Sequence, residues 1–257
     1  MTHNFLEKYS TINSPVHRME PRVKLVITFA FVLAVVITPP GLWSVFAMYL
    51  GLLWAIILIS KLPPLFVLAR SLVIIPFIAV VAVSIPFLGR DAAEGGYNLG
   101  PWQIEASHYG VVVLWNVAVK SWLSVQALTV LASTTTFLDL LRGLRGLGVP
   151  KAMVMIISFM YRYLFVLVDE VSRMRRARDS RNFGGRKLWQ WKTIGNMIGS
   201  LFIRSYERGE RVHLAMLARG FTGEVRYLTE SRLRTIDICL GAAFLCLIAI
   251  INVVPRI

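Results

Sequence analysis

The chain has 257 residues, 56% of them hydrophobic and only 16% charged, with a mean hydropathy of +0.63. A soluble globular domain carries roughly 45–50% apolar residues and about 25% charged ones, so this composition excludes an ordinary water-soluble domain and points to the bilayer. The 28 Lys+Arg against 14 Asp+Glu leave a net charge of +14, and where that excess sits along the chain sets the orientation.

A bilayer core takes roughly 20 predominantly apolar residues per helix. The first apolar run is Val23–Thr38, ended by Pro39-Pro40-Gly41, and the second is Leu42–Ser60. The third is Ser71–Leu88, the fourth Gly110–Ser133 and the last Ile236–Val254. Lys8, Arg18, Arg22 and Lys24 put the N-terminal segment on the cytoplasmic side, and Lys61 and Arg70 bring the chain back there. Residues 89–109 hold Arg90 against Asp91, Glu94 and Glu105, as an outer loop would. Arg142, Arg145 and Lys151 mark the next return to the cytoplasm.

Ala152–Val168 is apolar enough to pass as a sixth span. If it crossed, residues 173–234 would lie outside, with 15 Lys+Arg, 5 Asp+Glu and so +10 of the total charge. Charge parity therefore predicts a helix along or dipping into the cytoplasmic face, with Arg162 between Tyr161 and Tyr163 at the interface. The expected fold is an all-α integral membrane protein of about five transmembrane helices plus long cytoplasmic amphipathic helices. Residues 1–134 form a four-helix transmembrane region, 135–234 a cytoplasmic helical region and 235–257 a C-terminal transmembrane helix.

Within the cytoplasmic region, Thr136 with Asp139 resembles a capping box and predicts a short amphipathic interfacial helix over 137–147. Pro150 starts a longer helix, apolar first and Arg-rich last, reaching about Ser180 before Asn182, Gly184 and Gly185 break it. A second helix spans about Trp189–Ala218 and stops at Gly220. Gly195 and Gly199, spaced Gly-x-x-x-Gly, predict a close helix crossing.

The ends of these two helices share a pattern. Ala177-Arg178-Asp179-Ser180-Arg181-Asn182-Phe183 and Ala215-Met216-Leu217-Ala218-Arg219-Gly220-Phe221 both read Ala-x-x-small-Arg-(Gly/Asn)-Phe. Each sets a small residue beside an arginine at a helix C-terminus, followed by a residue tolerant of the left-handed conformation. A small neighbour lets a partner approach, and a guanidinium fork then grips carboxylates or carbonyls. A lone arginine there would be explained by the helix dipole, but two copies in one basic hairpin point to a partner surface.

These residues resemble the transmembrane T component of energy-coupling factor (ECF) transporters, the CbiQ/EcfT family, whose members carry two Ala-Arg-Gly motifs on cytoplasmic coupling helices. Ala218-Arg219-Gly220 matches the second motif in full, and Ser180-Arg181-Asn182 matches the first at its arginine. Ser14-Pro15-Val16-His17-Arg18-Met19-Glu20-Pro21-Arg22-Val23-Lys24-Leu25 resembles the family's entry into its first span, with Met19-Glu20 where Leu-Asp is usual. Leu147-Gly148-Val149-Pro150 and Tyr161-Arg162-Tyr163 resemble further family positions.

The resemblance implies a non-catalytic subunit of the cell membrane. It would join two cytoplasmic ABC-type ATPases, through Ala177, Ser180, Arg181, Asn182, Ala218, Arg219 and Gly220, to a membrane S component that captures the substrate. ATP and Mg would belong to the ATPases, with no cofactor or metal in this chain. The His17-containing pattern looks most like members dedicated to cobalt uptake, with nickel or a vitamin as alternatives.

Other signals fit that implication. No Gly-x-x-x-x-Gly-Lys-[Ser/Thr] loop is present for ATP, and no Glu-Ala-Ala loop or paired-aspartate motif. Cys239 and Cys246 exclude a disulfide scaffold or a four-cysteine zinc site, and His3, His17, His108 and His213 are scattered. A cleavable leader is not expected, because the first apolar run begins near Val23. A membrane-embedded enzyme would need carboxylates that the spans lack. A nucleic-acid binder would use Trp189, Trp191 and Tyr206 among the basic residues, but cytoplasmic orientation and anionic lipids already account for those charges. Lys120, about ten residues into the fourth run, is a functional candidate by its depth or a snorkelling side chain.

Overall fold

The computed structural model describes residues 14–78, 80, 96–98, 105–181, 187–223 and 235–253. Nine helices are placed there: α1 (Pro15–Arg18), α2 (Pro21–Ile37), α3 (Trp43–Ile59), α4 (Pro64–Ser71), α5 (His108–Thr134), α6 (Phe137–Gly146), α7 (Lys151–Asp179), α8 (Lys187–Ala218) and α9 (Thr235–Val253). Gly96–Asn98 (β1) and Glu105–Ser107 (β2) form a small antiparallel ribbon in the stretch expected as an outer loop, with Tyr97 opposite Ala106. The protein is an all-α integral membrane protein. The chain divides into two compact units: residues 147–230, and residues 2–146 with 231–257.

Predicted and observed span limits agree within about two residues for α2, α3, α5 and α9. Proline sets several starts: Pro15, Pro21 and Pro64 sit at first-turn positions, where a missing N–H costs nothing. Pro64 also moves the third element. Its helix begins seven residues before Ser71 and passes through a 3-10 turn at Leu72–Ile74. Arg70, expected in a cytoplasmic loop, therefore lies within α4, its guanidinium 5.8 Å from the centre of the Phe66 ring. Residues 81–88 of that run lie outside the described residues.

By length and composition, α7 and α9 are long and apolar enough to cross a membrane. A third candidate is α5 with α6, which bend by 105° at a short break. The helices α2 and α3 are 17 residues each, about 26 Å at 1.5 Å per residue. The sequence reading holds α7 to the cytoplasmic face by charge parity, although its length and composition alone would let it cross.

In the membrane unit, Phe31, Val35, Val45, Phe46, Tyr49, Leu53, Ile57, Leu123, Ala127, Val130, Ile248 and Ile251 form one buried cluster contributed by α2, α3, α5 and α9. Phe31 and Tyr49 meet edge to face with ring centres 5.4 Å apart. Large apolar side chains such as Phe29, Ile37 and Ile59 point outward, as a lipid-facing surface requires. Two close approaches join the helices. A Cβ on Gly143 of α6 would come within 2.9 Å of Leu25 and 3.2 Å of the Pro21 backbone, and one on Gly241 of α9 within 2.8 Å of Val23. α6 therefore packs on the start of α2 and groups with the membrane helices rather than with the hairpin that follows it.

Polar ties hold the ends of this bundle. Ser14 caps α1 by accepting from the His17 N–H, and its hydroxyl lies 2.7 Å from His17 Nδ1. Lys24, only 6% exposed, donates from Nζ to the His17 and Thr134 carbonyls and to Thr135 Oγ1, at 3.2, 3.0 and 3.4 Å. The carboxylates of Asp139 and Asp237 both act on this ammonium. At the other end, Thr38 donates to the Ala34 carbonyl and to Asn252, whose amide donates to the Tyr49 hydroxyl. Lys120 Nζ donates to the Val36 carbonyl at 2.9 Å, in the last turn of α2. Its place is explained by satisfying a carbonyl at a helix C-terminus.

Lys24→Met should lower stability by about 3 kcal/mol, the scale of removing one partner from a buried charged network. Lys120→Met, at a helix end, should cost under about 1 kcal/mol. Thermal unfolding of both variants in detergent micelles gives the comparison. Equal losses would show that Lys24 is not the stronger tie. Gly143→Leu, at the tight α2–α6 approach, should destabilise comparably to Lys24→Met.

Candidate partner interface on the basic hairpin

The second unit is built on α7 and α8, with 29 and 32 residues. α7 runs from Pro150 as N-cap to Ser180 as C-cap, matching the sequence expectation. α6, in the other unit, begins with the predicted capping exchange. The Asp139 N–H donates to Thr136 Oγ1 at 3.2 Å, and that hydroxyl donates to Asp139 Oδ2 at 2.6 Å. Asp139 also pairs with Arg142 at 2.9 Å.

Almost nothing in the hairpin is buried: among its described residues only Val154 is. Met153, Ile156, Met160, Leu164 and Val168 recur at helical spacing along α7, and all are exposed. On α8, Ile198, Phe202, Ile203, Tyr206, Leu214 and Leu217 are exposed as well. A soluble monomer seldom presents apolar surface on this scale, so these faces belong against lipid or protein.

The C-terminus of α8 shows why its residues stand in their order. Gly220 takes φ +77°, which an L side chain resists. The reversal lets the Gly220 N–H donate to the Leu217 carbonyl at 2.9 Å and the Phe221 N–H to the Met216 carbonyl at 3.0 Å. This 5→2 and 6→1 pair is a Schellman closure, with Arg219 at the C-cap and Met216 and Phe221 where its apolar contact forms. Ala218 and Arg219 are exposed, and among the described residues the Arg219 side chain has no hydrogen-bond or ion-pair partner. The guanidinium is therefore held at the very end of a rod, its donors unmet by any described residue.

The first end is less complete. The Ser180 N–H donates to the Arg176 carbonyl, the Arg181 N–H to the Arg178 carbonyl, and the Ser180 hydroxyl to the Ala177 carbonyl at 3.0 Å. The Arg181 side chain is exposed and has no hydrogen-bond or ion-pair partner among the described residues. Arg178 is occupied by Asp179, at 2.8 and 3.0 Å. Asn182 lies outside the described residues, as do Gly184 and Gly185. Each arginine thus terminates its own helix, and no contact joins the two ends among the described residues.

Gly195 and Gly199 are both exposed, and among the described residues a Cβ at either would meet nothing within 4 Å. The helices meet farther along, where Glu170 of α7 accepts from Arg204 of α8 at 2.8 Å and from Arg173 of its own helix at 2.7 Å. A cleft of about 280 Å³ lies beside this pair, lined by Val166 and Leu167 on one side and Leu201 and Arg208 on the other. No local pattern announces a contact between residues 34 positions apart. Only the Glu170/Arg173 half of it, an i,i+3 pair, was open to reading from the chain. Among the described residues, no three His, Cys, Asp or Glu side chains come together as metal ligands.

Comparison with known proteins bears on this surface. Residues 12–229 match the family model CbiQ, described as cobalt transport protein. An uncharacterised protein of Methanocaldococcus jannaschii is 28% identical over 91% of this chain and 80% of its own length. The cobalt transport protein CbiQ of Rhodobacter capsulatus is 29% identical over 59% of this chain and 62% of its own. The energy-coupling factor transporter transmembrane protein EcfT of Staphylococcus aureus is 25% identical over 88% of this chain and 87% of its own.

Gly220→Ala should open the α8 closure, because a Cβ at positive φ costs about 1 kcal/mol. Faster amide exchange at Gly220 and Phe221, with the rest of α8 unchanged, is the expected signature. Gly195→Ala and Gly199→Ala should be neutral or stabilising by about 0.5–1 kcal/mol each, as for alanine replacing glycine within a helix. A marked loss of thermal stability in either would point to a close crossing there.

Proposed function

The chain belongs to the CbiQ family of cobalt transport proteins, and from this we propose that it is the transmembrane coupling subunit of an ATP-driven ECF importer. The observation that carries the reading is a basic hairpin whose two helices each end in an exposed arginine whose side chain has no partner among the described residues. In this reading each end seats in a groove of one cytoplasmic ABC-type ATPase, and a guanidinium fork supplies donors to carbonyls or carboxylates there. The ATPases bind ATP and Mg and carry out the hydrolysis, while this chain contributes no catalytic group. The exposed apolar faces of the hairpin are covered in the complex, some by the membrane S component that captures substrate.

Cobalt is the substrate this reading favours. It rests on the family's description and on the His17-containing entry to α2, a histidine within α1 whose Nδ1 lies 2.7 Å from the Ser14 hydroxyl. Uptake of nickel or of a vitamin, with no uptake of cobalt, would replace that assignment. The N-terminus and the hairpin are placed in the cytoplasm, following the charge asymmetry.

Arg219→Ala should weaken ATPase docking more than Arg181→Ala, because Gly220 closes its helix completely and holds the arginine at the tip. Removing one charged partner of a buried contact costs roughly 2–5 kcal/mol, or about 30-fold and upward in affinity. Arg→Lys should rescue only in part, and Arg175→Ala should matter little. Co-purification of the ATPases, with a transport assay alongside, measures all of these. A double Arg181→Ala, Arg219→Ala variant that assembles and transports normally would sink the coupling reading.

Orientation has its own test. In a chain lacking Cys239 and Cys246, a cysteine at Ser200 should resist impermeant thiol reagents in intact cells. Ready labelling would place α8 outside and overturn the cytoplasmic hairpin.

A further inference from the structure

The place where α7 and α8 meet is held differently from the rest of the molecule. The membrane unit has a buried apolar cluster, whereas the hairpin has only Val154 buried among its described residues. Among the described residues, the ion pair between its helices is that of the Glu170 carboxylate, with Oε1 on Arg204 of the opposite helix and Oε2 on Arg173 of its own, beside Val166, Leu167 and Leu201. An apolar seam resists rotation, because many interdigitated side chains would have to repack together. An ion pair carried by a long arginine tolerates a change in crossing angle while keeping the two backbones at one point.

The lengths on either side make this a lever. From Glu170 to Arg181 is 11 residues and from Arg204 to Arg219 is 15, about 17 and 23 Å of helix. From Lys151 to Glu170 is 19 residues, about 29 Å along α7, so a displacement at the arginine end is magnified about 1.7-fold at its start.

We propose that Glu170, bound to Arg204, is a positioning residue: the pivot about which the two helices turn, so that motion of their arginine-bearing ends is passed to the apolar start of α7. The proposal rests on the coupling reading above and adds to it the point through which the motion is transmitted. Without the pin, the ends still dock, but their displacement is dissipated by sliding of one helix along the other.

The test uses the whole complex, with ATPases and S component, in proteoliposomes. Glu170→Gln and Arg204→Ala should retain their full complement of ATPase subunits and continue to hydrolyse ATP. Uptake of cobalt per ATP hydrolysed should fall about tenfold, the scale of a typical coupling free energy. Arg173→Ala, which leaves the inter-helix contact intact, should stay close to the unmodified protein. The exchanged pair Glu170→Arg, Arg204→Glu, made together with Arg173→Ala to remove the like charge one turn away, should recover most of the loss, since it restores the attraction between the helices. Normal coupling in Glu170→Gln would overturn the proposal. So would a loss that merely follows reduced ATPase content, which would mark a structural role, or a failure of the exchanged pair to recover.

A second measurement needs no partner. Spin labels at Arg175→Cys and His213→Cys in the full-length chain, with Cys239 and Cys246 replaced, report the separation of the helix arms. Glu170→Gln should broaden their distance distribution and the exchanged pair should narrow it again. An unchanged distribution in Glu170→Gln would overturn the pivot. If the unmodified chain held no ATPase at all, the coupling reading would fall while these distances still decided the pin.

Discussion

The membrane unit depends on one buried cation. Lys24 sits one turn into α2 and donates to a carbonyl of α1, to the last carbonyl of α5 and to a hydroxyl in the break before α6. With Asp139 of α6 and Asp237 of α9 acting on the same ammonium, four segments converge on a single charge. A buried ammonium is costly, and here three oxygen acceptors and two carboxylates offset part of the cost of its burial. The sharp 105° bend between α5 and α6 is tolerable because the carbonyl freed at Thr134 has Lys24 as its donor. The glycines at 143 and 241 then let α6 and α9 come down onto α2 at the same end.

The hairpin follows an opposite logic. Its helices are long and well capped, yet they bury almost nothing against each other. Rods of this kind gain little from a shared core and are suited to being held from outside. The Schellman closure at Gly220 gives the arginine a defined exit from α8, and the Glu170–Arg204 pair sets where the rods meet. Helix ends that are rigid locally and joined through a polar contact can pass on a displacement that a flexible loop would absorb.

The family assignment and this architecture support each other without being the same argument. Membership covers residues 12–229, and so spans Lys24 with its partners up to Asp139 and the two arginine ends. The Lys24 knot explains why a Pro-x-x-x-x-x-Pro stretch with a basic residue three positions later opens the first span: each proline starts a helix, and the lysine reaches back to a carbonyl of the first. The arginine ends explain why small residues flank the guanidinium and why glycine follows it at one of them.

Much was determined by the sequence alone, because the physics concerned is local. Apolar run length set the membrane helices, and the order of small residue, arginine, glycine and aromatic set the closure of α8 through backbone conformations within five residues. The Thr136–Asp139 cap and the limits of α7 were legible for the same reason. Other features were decided only in three dimensions. Pro64 rather than the hydropathy run set the start of α4. Lys120 looked like a functional charge in a membrane, until folding brought the carbonyl of Val36 to it. Gly195 and Gly199 had the spacing of a close crossing, but spacing names a possible face and not the helix that fills it. The meeting of α7 and α8 joins Glu170 to Arg204, and the Lys24 knot joins residues more than 100 positions apart. Such contacts have no period or local signature, since they depend on how whole helices are arranged against one another.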